Sequence, residues 1–196
     1  SGNNLNCSGT PQSFSITVNP SPSAVPPGNQ VVCNGQPVTA INFTGTATSY
    51  SWTNDLTSIG LGASGNGNIA SFNAVNNTNA PVTATVVVQP IFTGANLNCP
   101  GVSQTFTIVV NPTPTMGALS NQVLCAGTST TAINFTGTAT NYAWTNNTPG
   151  IGLAASGNGN IASFTAANAS NSAALTSTIS VTPQFVNAGV TCAGTV

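Results

Sequence analysis

The stretch AINFTGTATSYSWTN, from Ala40 to Asn54, returns as AINFTGTATNYAWTN from Ala132 to Asn146, an offset of 92 residues. A repeat of that length and fidelity constrains the fold more than any other feature. Both copies must bury their apolar faces in the same way. Between Asn29 and Phe72, 32 of 44 residues are identical to their counterparts at Asn121 to Phe164. Val18-Asn19-Pro20 recurs as Val110-Asn111-Pro112, Cys33 as Cys125, Trp52 as Trp144 and Phe72 as Phe164. One residue is then inserted opposite AVNNTNAP, so Phe92 pairs with Phe185 and Cys99 with Cys192 at an offset of 93. Insertion into a polar, Asn-rich run reads as change in a surface loop.

Within the repeat the apolar residues alternate. Ile41 and Phe43 alternate with Asn42 and Thr44, and Tyr50 and Trp52 with Ser51 and Thr53, the period of half-buried strands. The first copy predicts strands over Asn29–Cys33, Val38–Gly45, Thr48–Asn54, Ile59–Ala63, Asn68–Asn73, Val82–Phe92 and Ser103–Val110. SGNGN, at Ser64–Asn68 and again at Ser156–Asn160, reads as a tight Asn-Gly turn between short apolar runs. Six or seven short strands per 90 or so residues, with a large indole near the centre, is the pattern of an immunoglobulin-like antiparallel sandwich. The expected fold is therefore all-β, with tandem sandwich modules and Trp52 and Trp144 in their cores.

The module boundaries follow from the repeat. Cys7, Phe14, Ile16 and Val18 match Cys99, Phe106, Ile108 and Val110, so residues 1–20 read as the last strand of a preceding copy. The first module is 21–112. The second is 113–196 and lacks its own counterpart of QTFTIVVNP. Phe14, Ile16 and Val18 are accordingly expected to form an inter-module strand. The linkers NPSPSAVPP and NPTPT are proline-rich, which makes them short semi-rigid spacers.

Composition then removes most chemistry. The chain has no Lys, Arg or His and a single acid, Asp55. General acid–base catalysis, activation of a Ser or Cys nucleophile and two-carboxylate glycoside hydrolysis all need titratable partners that this chain lacks. The same scarcity removes carboxylate cation sites, zinc sites, phosphate neutralisation on nucleic acid and basic docking to anionic lipid. No enzyme, cofactor or metal is expected. Apolar content is 40%, sufficient for cores, with polarity supplied by Asn, Thr and Ser. No apolar run approaches the roughly 20 residues of a membrane helix.

Five cysteines lie at 7, 33, 99, 125 and 192. Cys33–Cys99 and Cys125–Cys192 are the expected bridges, since each pair falls within one module. Disulfides imply an oxidising compartment, so the chain is expected at the cell surface or outside the cell. The pattern contains no CxxC of a redox or metal site. Cys7 is the odd cysteine, with a partner expected outside these 196 residues.

NQVVCNG, TAINFTGTATSYSWTND, IGLGASGNGNIASF and FTIVVNPTPT resemble the PKD-like repeats of very large secreted surface proteins of Bacteroidota. The resemblance covers essentially the whole chain, about two repeats. It implies an immunoglobulin-like sandwich, export by the type IX route, and a role in the stalk of an adhesin or filament. The chain departs from the W-x-F-G-D-G turn of classical PKD domains, since Thr53-Asn54-Asp55 follows Trp52.

Two functions are consistent with this reading. One is a non-catalytic structural repeat of an extracellular filament or adhesin stalk, whose partners are further copies of the same repeat. The alternative is a carbohydrate-binding module for a surface polysaccharide, which needs aromatic side chains on an exposed face. The open edge of the second module is expected to receive a strand like Ser1–Pro20. The following residues of the same array would supply it, or else a separate copy by strand addition.

Overall fold

The computed structural model describes residues 1–2 and 8–194. Cys7 lies outside the described residues. The first module carries β1 (Gln30–Cys33), β2 (Pro37–Val38), β3 (Ser49–Asn54), β4 (Ser64–Asn66), β5 (Phe72–Asn73), β6 (Val82–Gly94), β7 (Leu97–Pro100) and β8 (Gln104–Asn111). The second carries β9 (Asn141–Asn146), β10 (Ser156–Asn158), β11 (Ile179–Asn187) and β12 (Val190–Ala193). The described residues form no α-helix, and no helix is long and apolar enough to cross a membrane.

The large sheet of the first module runs β1-β8-β6-β3-β4, with β7 also on β6. Its pairings are antiparallel except β1 with β8, which is parallel. The facing layer is thin: β2 pairs with β5, and Ile41 bridges Ile69. One core joins Val38, Ile41 and Ile69 of that layer to Trp52, Val86 and Phe106 of the large sheet. Alternation accounts for this directly. Ala84, Val86 and Val88 on β6 are fully buried, as are Ile108 and Val110 on β8, while the residues between them face outward or lie half-buried. The second module has the sheet β10-β9-β11-β12 and a smaller core of Phe135, Tyr142, Trp144, Ile161 and Val181.

Three segments differ from the strand reading. Val38–Gly45 is not one strand, because its backbone bonds are divided among separate partners. Ile41 pairs with Ile69, the Phe43 N–H donates to Asn68 Oδ1, and the Thr44 carbonyl accepts from Val25 N–H. Thr57–Ile59 is a single 3-10 turn closed by Gly60 at φ 96°, although Ile59 is fully buried. Most of SGNGN is strand: Ser64–Asn66 pairs with Thr53–Ser51, and Gly67, at φ 68°, makes the bend after it. The hairpins β6–β7 and β11–β12 each turn on two residues at positive φ, Ala95-Asn96 and Ala188-Gly189, as two-residue hairpins with right-handed twist require.

With almost no charge available, asparagine amides fasten the loops. Asn54 Nδ2 donates to the carbonyls of Leu56, Leu61 and Gly62, and its Oδ1 accepts from Leu56 N–H. Asn146 repeats this against Leu153, Ala154 and Thr148. Asn76 Nδ2 donates to the carbonyls of Ala80 and Val110, tying the loop before β6 to the end of β8.

Candidate functional site

Three features of the described residues stand out as candidates. They are an open sheet edge on the second module, an unpaired strand-like segment at the start of the chain, and the cysteines at the module ends.

In the first module β8 lies between β6 and β1. It covers the core with Phe106, Ile108 and Val110, each buried to 2% exposure or less. Among the described residues the second module has no strand in that place. The consequence is visible in two segments, the first of which nearly duplicates its counterpart in the first module. NQVVC forms β1, whereas NQVLC at Asn121–Cys125 forms no strand, and Val123 is 97% exposed. Likewise β6 begins at Val82, but β11 begins only at Ile179, four residues past the counterpart of Val82, which is Leu175. In NQVLC the sequence is nearly constant and the partner differs, so it is the missing ladder partner that leaves this segment without strand structure. A groove of about 660 Å³ runs along the gap, lined in part by Leu124, Ile133, Phe135, Leu175, Ile179 and Val181.

Phe14, Ile16 and Val18 stand at 88%, 79% and 87% exposure in a segment with no assigned strand. QSFSITVN and the β8 sequence QTFTIVVN have the same apolar spacing. At the end of this segment Asn19 Nδ2 donates to the Gly94 carbonyl of the first module.

The disulfide differs from the expectation. Cys33 is bonded to Cys192, with a Cα–Cα distance of 5.5 Å, while Cys99 and Cys125 are free. The pairs Cys33–Cys99 and Cys125–Cys192 are therefore not made. The strand order explains why. Cys33 lies opposite Asn111, beside the start of β6, whereas Cys99 lies opposite Phe92 near its end. Ten residues of strand separate those levels, roughly 33 Å at about 3.3 Å per residue, and a bridge needs Cα atoms within about 7 Å. In the second module Cys192 pairs with Phe185 at one end, and Cys125 sits in a turn bonded to Ala166 at the other. Each module thus carries one cysteine at each end, and the bridge joins the far end of the first to the near end of the second. Asn187 Nδ2 donates to Asn111 Oδ1 beside it.

Trp52 and Trp144 are both buried in their modules. Gly65 and Gly157 lie against the two indole faces, so close that a Cβ would overlap the ring. This glycine–indole contact escaped the sequence reading, although the first G of each SGNGN copy was fixed by the repeat. Asp55, the lone acid, accepts a hydrogen bond from Thr85 N–H. Among the described residues no three His, Cys, Asp or Glu side chains converge.

Comparison of the chain with protein-family models finds no match, and comparison with curated proteins finds none either.

Proposed function

We propose that this chain is a non-catalytic structural unit of an extracellular filament or adhesin stalk, built from immunoglobulin-like, PKD-like modules joined end to end. The observation that carries the reading is the Cys33–Cys192 bridge. It ties the far end of one repeat to the near end of the next, which is where a load-bearing fibre needs a covalent joint. A repeat of about 92 residues, a tryptophan on a central strand in contact with the opposite layer, and short antiparallel strands all favour the immunoglobulin-like class. The disulfide favours an oxidising, extracellular setting. The partners in this reading are further copies of the repeat.

Carbohydrate binding is the weaker reading. It asks for exposed aromatic platforms, and both tryptophans and Tyr142 are buried while Tyr50 is half-buried. Antibody against the chain, applied to unpermeabilised source cells under the electron microscope, tests the proposal. Labelling at intervals along surface fibres is the expected result. Label confined to the cell interior, or to soluble secreted material without fibres, would overturn it.

A further inference from the structure

We propose that a second copy of this chain docks its Gln12–Asn19 segment into the open edge of the second module, in the register of β8, and that Cys125 then bonds to Cys99 of that copy. The proposal rests on the filament reading and specifies its joint.

The occupant is argued from the first module, which contains the finished version of the same slot. There Phe106 lies opposite Val86, Ile108 opposite Ala84 and Val110 opposite Val82 on β6. On the other side Ile108 lies opposite Gln30, Val110 opposite Val32 and Asn111 opposite Cys33 of β1. Carried to the second module, that register sets Phe14 of the second copy against Ile179, Ile16 against Ser177 and Gln122, and Val18 against Leu175 and Leu124. The three exposed side chains enter an apolar groove, and both bare ladders acquire partners. Polar groups match too. Asn76 Nδ2 bonds the carbonyls of Ala80 and Val110 in the first module, while the Nδ2 of its half-buried counterpart Asn168 bonds Ala173 alone. The Val18 carbonyl of the second copy would take the second bond. Asn29 Oδ1 accepts from Thr107 N–H, and Asn121 stands ready to do the same for Ser15 of the second copy.

The joint between segment and module is already made in the required form. Asn19 donates to Gly94, as Asn111 meets Asn187, the counterpart of Gly94. Gly101 packs on the Pro22 carbonyl, as Gly194 packs on that of Pro114. Ser23 N–H donates to Thr46 Oγ1, as Thr115 N–H donates to Thr138 Oγ1. Residues 19–23 therefore hold the first module as residues 111–115 hold the second. Once Gln12–Asn19 occupies the slot, the first module of the second copy follows the second module of the first copy. The relation is the one the two modules have within a chain. That relation brings Cys33 to Cys192, so its repetition brings Cys125 to Cys99 of the second copy, and both of these are free. Residues before Gln12 stay outside the slot, because β12 already occupies the place beside β11.

Closing the bond oxidises two thiols. They release two protons and two electrons to a disulfide oxidant, either a small-molecule disulfide or a thiol–disulfide oxidoreductase, whose own S–S is reduced to two thiols.

The test uses the purified full chain, incubated over a range of concentrations in mixed reduced and oxidised glutathione. It is read by non-reducing electrophoresis, light scattering and mass spectrometry of peptic peptides. The expected result is a ladder of chain multiples that collapses on reduction, with a cross-linked peptide joining Cys125 to Cys99. Cys125→Ser should abolish the covalent ladder and leave concentration-dependent association. The double variant Phe14→Asp, Ile16→Asp, altered at exposed positions only, should lose both. A chain that remains monomeric with Cys125 open to alkylation at every concentration overturns the proposal, and so does a ladder that persists in the double variant. Native material whose fully reduced mass is several chains long, with peptides running unbroken into a following repeat, also overturns docking of a separate copy. That last outcome leaves the filament reading intact, whereas absence of surface fibres sinks that reading independently.

Discussion

Trp52 and Gly65 show how little freedom the core allows. The indole lies across the sheet and the glycine opposite it on β4 provides the space. Trp52→Ala should cost about 3–5 kcal/mol, in line with other large core truncations. Gly65→Ala should cost about 1–3 kcal/mol by forcing the ring from its place, although alanine is the smallest side chain that could be added. The indole N–H of Trp52 is buried without a protein partner, so Trp52→Phe should lose less than Trp52→Ala. Denaturant unfolding of the three variants measures the order. The repeat made this pair legible in part. Alternation of Tyr50 and Trp52 with Ser51 and Thr53 marked the indole as inward-facing. Nothing in SGNGN distinguished a glycine needed for a turn from one needed for contact, and the two occur two residues apart: Gly65 under the ring, Gly67 in the bend.

At the scale of elements, β1 and its counterpart at Gln122–Cys125 form a natural control. Four of the five residues in NQVVC and NQVLC are the same, and only the first copy has β8 beside it. Hydrogen exchange should find the amide of Val32, which faces β8, protected and that of its counterpart Leu124 exchanging rapidly. Equal protection would mean that local sequence, not the neighbouring strand, makes β1. The long strands β3, β6 and β8 were readable because each alternates over six or more residues. The region from Val38 to Gly45 was not, since alternation reports which face is buried and not whether the backbone keeps one partner throughout. The cysteine pairing was misread for a related reason. Counting cysteines per repeat ignores direction. Because β1 and β8 run parallel, a cysteine at the end of β1 and one before the start of β8 must lie at opposite ends of the sandwich.

Among the described residues, the two modules are tied by the Cys33–Cys192 bridge, the Asn187–Asn111 and Asn34–Thr113 hydrogen bonds and the short Pro-containing linker. As the one covalent tie besides the backbone, the disulfide should dominate the stiffness of the joint. Small-angle scattering of the Cys33→Ser variant should report a broader distribution of inter-module distances than the parent, with both modules still folded by circular dichroism. An unchanged distribution would place the stiffness in the prolines instead. The near absence of charge, with Asp55 the single charged side chain, is compatible with such a joint. Uncharged surfaces rich in Asn and Thr present many donors and acceptors, and they carry no net repulsion that would oppose close stacking of identical units.

The central claim is that cysteines join successive modules end to end instead of closing each module on itself, and disulfide mapping tests it most directly. Trypsin has no Lys or Arg to cut after, so the non-reduced monomer is digested with pepsin at acid pH, where thiol–disulfide exchange is slow. The account predicts a cross-linked pair containing Cys33 and Cys192, with Cys99 and Cys125 recovered as free thiols in the monomer. Recovery of Cys33 linked to Cys99, or of Cys125 linked to Cys192, would contradict it.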